Sequence, residues 1–179
     1  AIVLAGSCDS DLAVPYEPFA MAFAEAAATD DELGRAVASG AGALGALFPA
    51  RRDRTDDPGP AARFELFEAV VGLTRRLARA HPVVLVLEDL HWATAPTVQL
   101  LRHLMRGTDR SGVLVLASYR PEEVGPGHPL HDLLTDQQAS ASTVLRLTGL
   151  DAADVAELVA ARAPYADDAH IEAFSRRIH

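Results

Sequence analysis

Residues 83–93 read VVLVLEDLHWA. An unbroken apolar run, Val83 to Leu87, ends in two adjacent carboxylates, Glu88 and Asp89. A short, β-branched run of this kind, preceded by Pro82, suits a strand buried on both faces of a parallel sheet. Two acids at its end need a reason, because an unpaired buried charge is costly. One reason is a magnesium ion, which takes oxygen ligands, keeps several waters and is held through one or two carboxylates beside a phosphate. A second acid beside it orients or deprotonates an attacking water. The plainer alternative is that strand ends are exposed and the two acids are solvated, or cap the next helix.

The surrounding sequence sets this run in an α/β pattern. Residues 2–6 form a short apolar run closed by Gly6-Ser7, read as another buried strand, and residues 8–15 read as a loop. Helices are expected over about 17–28 and 31–39, with Asp30-Asp31 as a start signal. Residues 49–60 mix charge with Pro and Gly and read as a surface loop. In RFELFEAVVGLTRRLARAH, Phe64, Phe67, Val71 and Leu77 fall near one helical face, and Arg75, Arg76 and Arg79 sit near the negative end of the helix dipole. After the 83–88 strand comes a helix with Pro96 in its first turn and Val98, Leu101, Leu104 and Met105 inward. VLVLAS (113–118) is a further strand, 121–129 a loop, about 130–136 a short helix, and STVLRL (142–147) a last strand. Asp151 and Asp154 occupy capping-box positions for a helix of about 152–163, and a final helix is expected over about 167–178. Alternating strands and helices imply a mainly parallel sheet, whose ligands sit at the carboxyl ends of the strands. Glu88, Asp89 and Arg120 all lie just past such ends.

The 179 residues suffice for one domain of ordinary size. Hydrophobic residues make up 49% and charged residues 23%, a globular balance. The net charge of −9 argues against this segment gripping a nucleic-acid backbone. A single cysteine, Cys8, fits a reducing cytoplasm. No apolar run approaches the ~20 residues of a membrane span. The start AIVLAGSCDSDL has no basic n-region, is not a signal peptide, and opens directly on strand-like residues; the chain reads as a piece of something longer.

PVVLVLEDLHWATAPTVQLLRHLMR (82–106) resembles the Walker B segment of bacterial STAND-type ATPases, the signalling P-loop NTPases that include large LuxR-type regulators. Further segments agree in order. Residues 3–23 look like that family's strand leading to a Pro-Tyr-x-Pro-Phe element, 113–124 like its sensor strand ending in Arg, and 128–134 with 144–159 like the last strand and first helices of its helical region. The resemblance implies a three-layer P-loop NTPase-like α/β fold, partial over residues 1–149, with an adjoining helical region starting at 150–179. It implies ATP and Mg²⁺ as cofactors, with Glu88 and Asp89 as metal-binding acids. Asp89 would position the hydrolytic water and Arg120 would neutralise the terminal phosphate, a role suited to a guanidinium fork. It implies an ATP-hydrolysing signalling switch in a larger regulator, with transcriptional output and flanking domains as partners. Two departures stand out: the first acid is Glu rather than the commoner Asp, and Thr94 stands where the family often has Asp.

The largest departure is an absence. No G-x-x-x-x-G-K-[ST] stretch, whose backbone N–H groups and Lys cradle phosphates, occurs in the sequence. Gly40 to Gly45 is Gly-rich but lacks the Lys-Ser/Thr pair and follows no strand. The family's phosphate loop is expected before Ala1, leaving the isolated chain inactive as an ATPase. Its strand would lie between the sensor strand and the last strand. Strands 2–6, 83–88 and 113–118 are therefore expected to pair, with 142–148 displaced, re-paired or paired with another chain. An open edge also invites self-association.

The remaining candidates have plainer readings. Trp92 packs its loop onto a helix rather than a base, His91 is a surface or loop-packing residue, and His128 and His131 lack further metal ligands. Cys8 is a small buried residue with no assignable base. Tyr16 and Phe19 are apolar anchors, and the Arg51–Asp57 run is a solvated loop. The rival to the ATPase is a non-catalytic α/β interaction scaffold in which Glu88 and Asp89 are remnants or caps. An α/β hydrolase is disfavoured because no G-x-S-x-G elbow occurs.

Overall fold

The computed structural model of the chain describes residues 1–11, 13–29, 31, 34–35, 43–47, 59–138, 143–162, 171 and 174. The expected helix over 31–39, the loop over 49–60 and the helix over 167–178 fall mostly or wholly outside them. Two compact units divide the chain, Ala1–Ala141 and Ser142–His179.

The first unit is an open, three-stranded parallel sheet flanked by helices. Its strands are β1 (Ile2–Ser7), β2 (Val83–Glu88) and β3 (Val113–Ala117), in the order β1-β2-β3. Helices α1 (Glu17–Thr29), α2 (Pro60–Ala80), α3 (Ala95–Gly107) and α4 (Pro129–Gln138) connect or follow them. Leu4 lies opposite Leu85, and Leu85 opposite Val115. The sheet thus joins segments some eighty residues apart, and β2 at its centre is paired along both edges.

The period-2 rule of strands divides the sheet into two unequal faces. Leu4, Gly6, Val83, Leu85 and Leu87 are buried on one side. There they pack in one core with Phe19, Ala22 and Phe23 of α1, Leu66, Val70 and Leu73 of α2, and Leu100 and Leu104 of α3. Each fully buried Leu or Phe contributes roughly 1.5–3 kcal/mol. On the other side Val3, Leu114 and Leu116 remain 61%, 53% and 48% exposed, and Val84 and Val86 are half-buried. The uniformly apolar 83–87 run is therefore fully buried on one face, not on both. Apolar composition on both faces marks a strand able to be sandwiched; the helices packed on it decide whether it is.

Local chemistry explains how the elements meet. Tyr16 and Phe19 are buried anchors, as the sequence indicated. Tyr16 adopts a left-handed φ of 66°, its N–H donates to Thr97 Oγ1 at 2.9 Å, and its ring meets Phe67 edge-on at 6.1 Å. Tyr16 thereby ties the start of α1 to both α2 and α3. Buried hydroxyls of Thr74 and Thr108 donate to carbonyls one turn back, Val70 O and Leu104 O, both at 2.8 Å, so neither is left unsatisfied.

In the second unit, residues 143–150 form no strand and are exposed, with Leu145 and Leu147 at 81% and 93%. The sequence pattern of STVLRL suits a strand, but a lone extended segment has no ladder to hold it. Residues 143–148 thus take no part in the described ladder. The Asp151 cap is formed: Asp151 Oδ1 accepts from the N–H groups of Ala153 and Asp154 at 2.9 and 2.8 Å, and Asp154 Oδ2 accepts from Asp151 N–H at 3.3 Å. That box starts α5 (Ala152–Arg162).

Gly6 sets the spacing between β1 and α1. A Cβ there would lie 2.0 Å from the carbonyl oxygen of Pro18, a backbone atom that cannot swing away. Gly6→Ala is expected to destabilise the first unit by about 3 kcal/mol or more, measured by denaturant unfolding.

Candidate functional site

Strands β1, β2 and β3 run parallel, so their carboxyl ends share one edge of the sheet. Glu88 is the last residue of β2 and is exposed. Asp89 follows in the left-handed region, φ 56° and ψ 41°, a conformation that Asp tolerates better than most residues. This turn stops the strand and starts a short 3-10 helix, Leu90–Trp92, closed by Trp92 N–H donating to Asp89 O at 2.9 Å.

Ser118 joins this turn to β3. Its N–H donates to Leu87 O at 3.0 Å, its carbonyl accepts from Leu90 N–H at 2.9 Å, and its Oγ accepts from Asp89 N–H at 3.2 Å. On the other side, Cys8 N–H donates to Glu88 O at 3.0 Å. The two acids are thus held by backbone bonds from both neighbouring strands. Sequence reasoning missed Ser118; its place one residue past β3, level with the acids, is the signal that locates it.

Arg120 lies two residues further on. Its Nη1 donates to Glu123 Oε1 at 3.2 Å, and its guanidinium sits 5.9 Å from the Trp92 ring centroid. The arginine is thus parked over the loop that carries the acids, in a cation–π contact. Trp92 packs against the core beneath it, in line with its expected packing role.

His91 is the unexpected member. Its side chain is fully buried, yet neither ring nitrogen has a hydrogen-bond partner. Nδ1 lies 3.9 Å from Asp89 Oδ1 and Nε2 lies 3.8 Å from Glu123 Oε2, with the Trp92 ring centroid 4.5 Å away. Such an orphaned polar group costs about 1–3 kcal/mol where nothing pairs it. His128 holds the same loop from outside: its Nε2 lies 2.9 Å from His91 O, and its Nδ1 accepts from Leu130 N–H at 3.1 Å. His128 is thereby structural and is not paired with His131 on a metal.

The donor set suits magnesium better than a transition metal. Among the described residues no group of three or more His, Cys, Asp or Glu side chains is gathered to hold a metal. Magnesium needs no such cage, since waters and phosphate oxygens complete its shell around one or two carboxylates. Glu88 and Asp89 present oxygen donors at the open edge of the sheet, and Asp89 keeps 43% of its side chain exposed.

In open parallel α/β sheets ligands bind at the carboxyl ends of the strands, which is where Glu88 and Asp89 lie. The model of the AAA ATPase domain family matches residues 1–116, and the chain belongs to that family. No curated protein and no solved structure matches it. Membership makes this an ATPase-type module and implies a nucleotide with Mg²⁺. Among the described residues no helix is long and apolar enough to cross a membrane.

Cys8 closes the base of the site and is chemically quiet. Burial, followed by the negative charges of Glu17 and Asp89, pushes its thiol from 9.0 up to about 12. The thiolate is the reactive form, so native Cys8 should react with a disulfide reagent at pH 8 at least ~100-fold more slowly than in the unfolded chain. Between pH 9 and 12 the folded state holds the proton that the unfolded state has released. Stability from this group is thus full below about pH 9 and falls as pH rises toward 12. Denaturation midpoints for wild type and Cys8→Ala across that range should converge as the pH rises.

Proposed function

We propose that the chain is the acid-bearing part of a cytoplasmic ATP-hydrolysing switch of the STAND type, within a larger regulator with transcriptional output. The observation that supports this most is the fastening of Asp89 to the end of β3 by Ser118 and of Glu88 to the end of β1 by Cys8, which holds both acids at the carboxyl edge of the sheet. In this reading Glu88 holds Mg²⁺ directly or through water, and Asp89 orients the water that attacks in line. Arg120 leaves Glu123 and Trp92 to neutralise the terminal phosphate. In this reading a phosphate-loop strand pairs with the edge of β3 that is unpaired among the described residues. Flanking domains read the nucleotide state, and the chain alone is inactive.

The exposed face carrying Val3, Leu114 and Leu116 supports a second reading, a non-catalytic interaction scaffold in which the open sheet associates with partners or with itself. The two readings diverge under test. In a longer chain that supplies a G-x-x-x-x-G-K-[ST] loop, Asp89→Asn should lower ATP turnover at least ~100-fold with nucleotide affinity within about threefold of wild type. Arg120→Ala should lower turnover about tenfold or more. Turnover unaffected by Asp89→Asn ends the catalytic assignment, and absence of any nucleotide binding in that longer chain leaves the scaffold. In the 179-residue chain, Leu116→Lys should reduce concentration-dependent self-association in sedimentation if the free edge is sticky.

A further inference from the structure

The amino end of the sheet, opposite Glu88 and Asp89, carries a second feature. The last turns of α2 and the turn between α3 and β3 border an open depression of about 480 Å³ lined by Arg75, Arg79, Arg110 and Ser111. We propose that this depression binds a small phosphate-bearing anion, independently of the carboxyl-edge site.

The charge balance favours an anion. Three guanidiniums line the depression, in a chain whose net charge is −9 and whose cationic side chains are all arginines. Asp109 lies 3.9 Å from Arg110 Nε, with the two side chains 77% and 93% exposed, and the carbonyl ends of α2 and α3 add partial negative charge nearby. The three guanidiniums outnumber that paired carboxylate, so an incoming anion would meet positive charge.

The side chains also suit the task. Arg75 donates its Nε–H to Gly107 O at 2.5 Å, which anchors the guanidinium and leaves its Nη donors to be presented. Arg110 takes a left-handed φ of 58°, a conformation easier for Gly or Asn. Ser111 adds a hydroxyl, donated to Asp109 O only at 3.3 Å and so easily redirected. Guanidinium forks match tetrahedral phosphate bidentately, and the volume suits a small ligand rather than a polymer.

The test is calorimetric titration of the 179-residue chain with inorganic pyrophosphate, at low ionic strength and with EDTA present so that no metal engages Glu88 and Asp89. Saturable one-site binding is expected. It should weaken at least tenfold in Arg79→Ala/Arg110→Asn, a pair chosen because Asn accepts the turn's backbone, and be unchanged in Glu88→Ala/Asp89→Ala. Single Arg79→Gln, on an exposed helical position, should weaken it at least threefold, with the melting temperature confirming a folded chain. Adenosine diphosphate separates the sources: equal affinity points to the phosphate groups alone, and tighter binding to a nucleotide. No saturable binding in the wild type, or equal affinity in wild type and the double arginine variant, overturns the proposal.

Discussion

The pairing of β2 along both edges is the constraint on which the rest depends. Among the described residues Val83 to Leu87 is the one strand hydrogen-bonded on two sides, and its alternate residues form the floor of the core. Parallel pairing obliges each neighbour to enter from the same end. The three carboxyl ends therefore coincide, and whatever follows them is brought together. Cys8, Glu88, Asp89 and Ser118 meet for that reason, although 110 positions separate the first from the last. The helices hold this geometry. Tyr16 joins α1 to α2 and α3, and Gly6 lets the start of α1 press onto β1.

Much of this was legible in the residues. Apolar runs at 2–6, 83–87 and 113–117, each closed by a small or charged residue, mark the strands by their short length, their flanking breakers and their Val and Ile content rather than by periodicity. Asp151 and Asp154 foretell their cap by spacing alone. STVLRL was read as a strand because its composition is strand-like, but pairing is a property of two segments, and composition describes one. The expectation that 83–87 is buried on both faces fails for the same reason.

The carboxyl-edge site was legible in its charges and not in its fastenings. Glu88, Asp89 and Arg120 declare themselves because charge is out of place after a buried strand. Ser118 and His128 act through backbone carbonyls and amides, and a sequence does not display those. His91 is harder still. Its oddity is the lack of a partner inside a packed loop, which exists only once the loop has folded.

Ser118 has a mechanical meaning beyond stability. Three hydrogen bonds join it to Leu87, Asp89 and Leu90, and Arg120 is two residues further along the same backbone. The acid turn and the arginine therefore belong to one lever whose fulcrum is the end of β3. Any shift of that end of β3 would therefore carry the acid turn and the arginine along together.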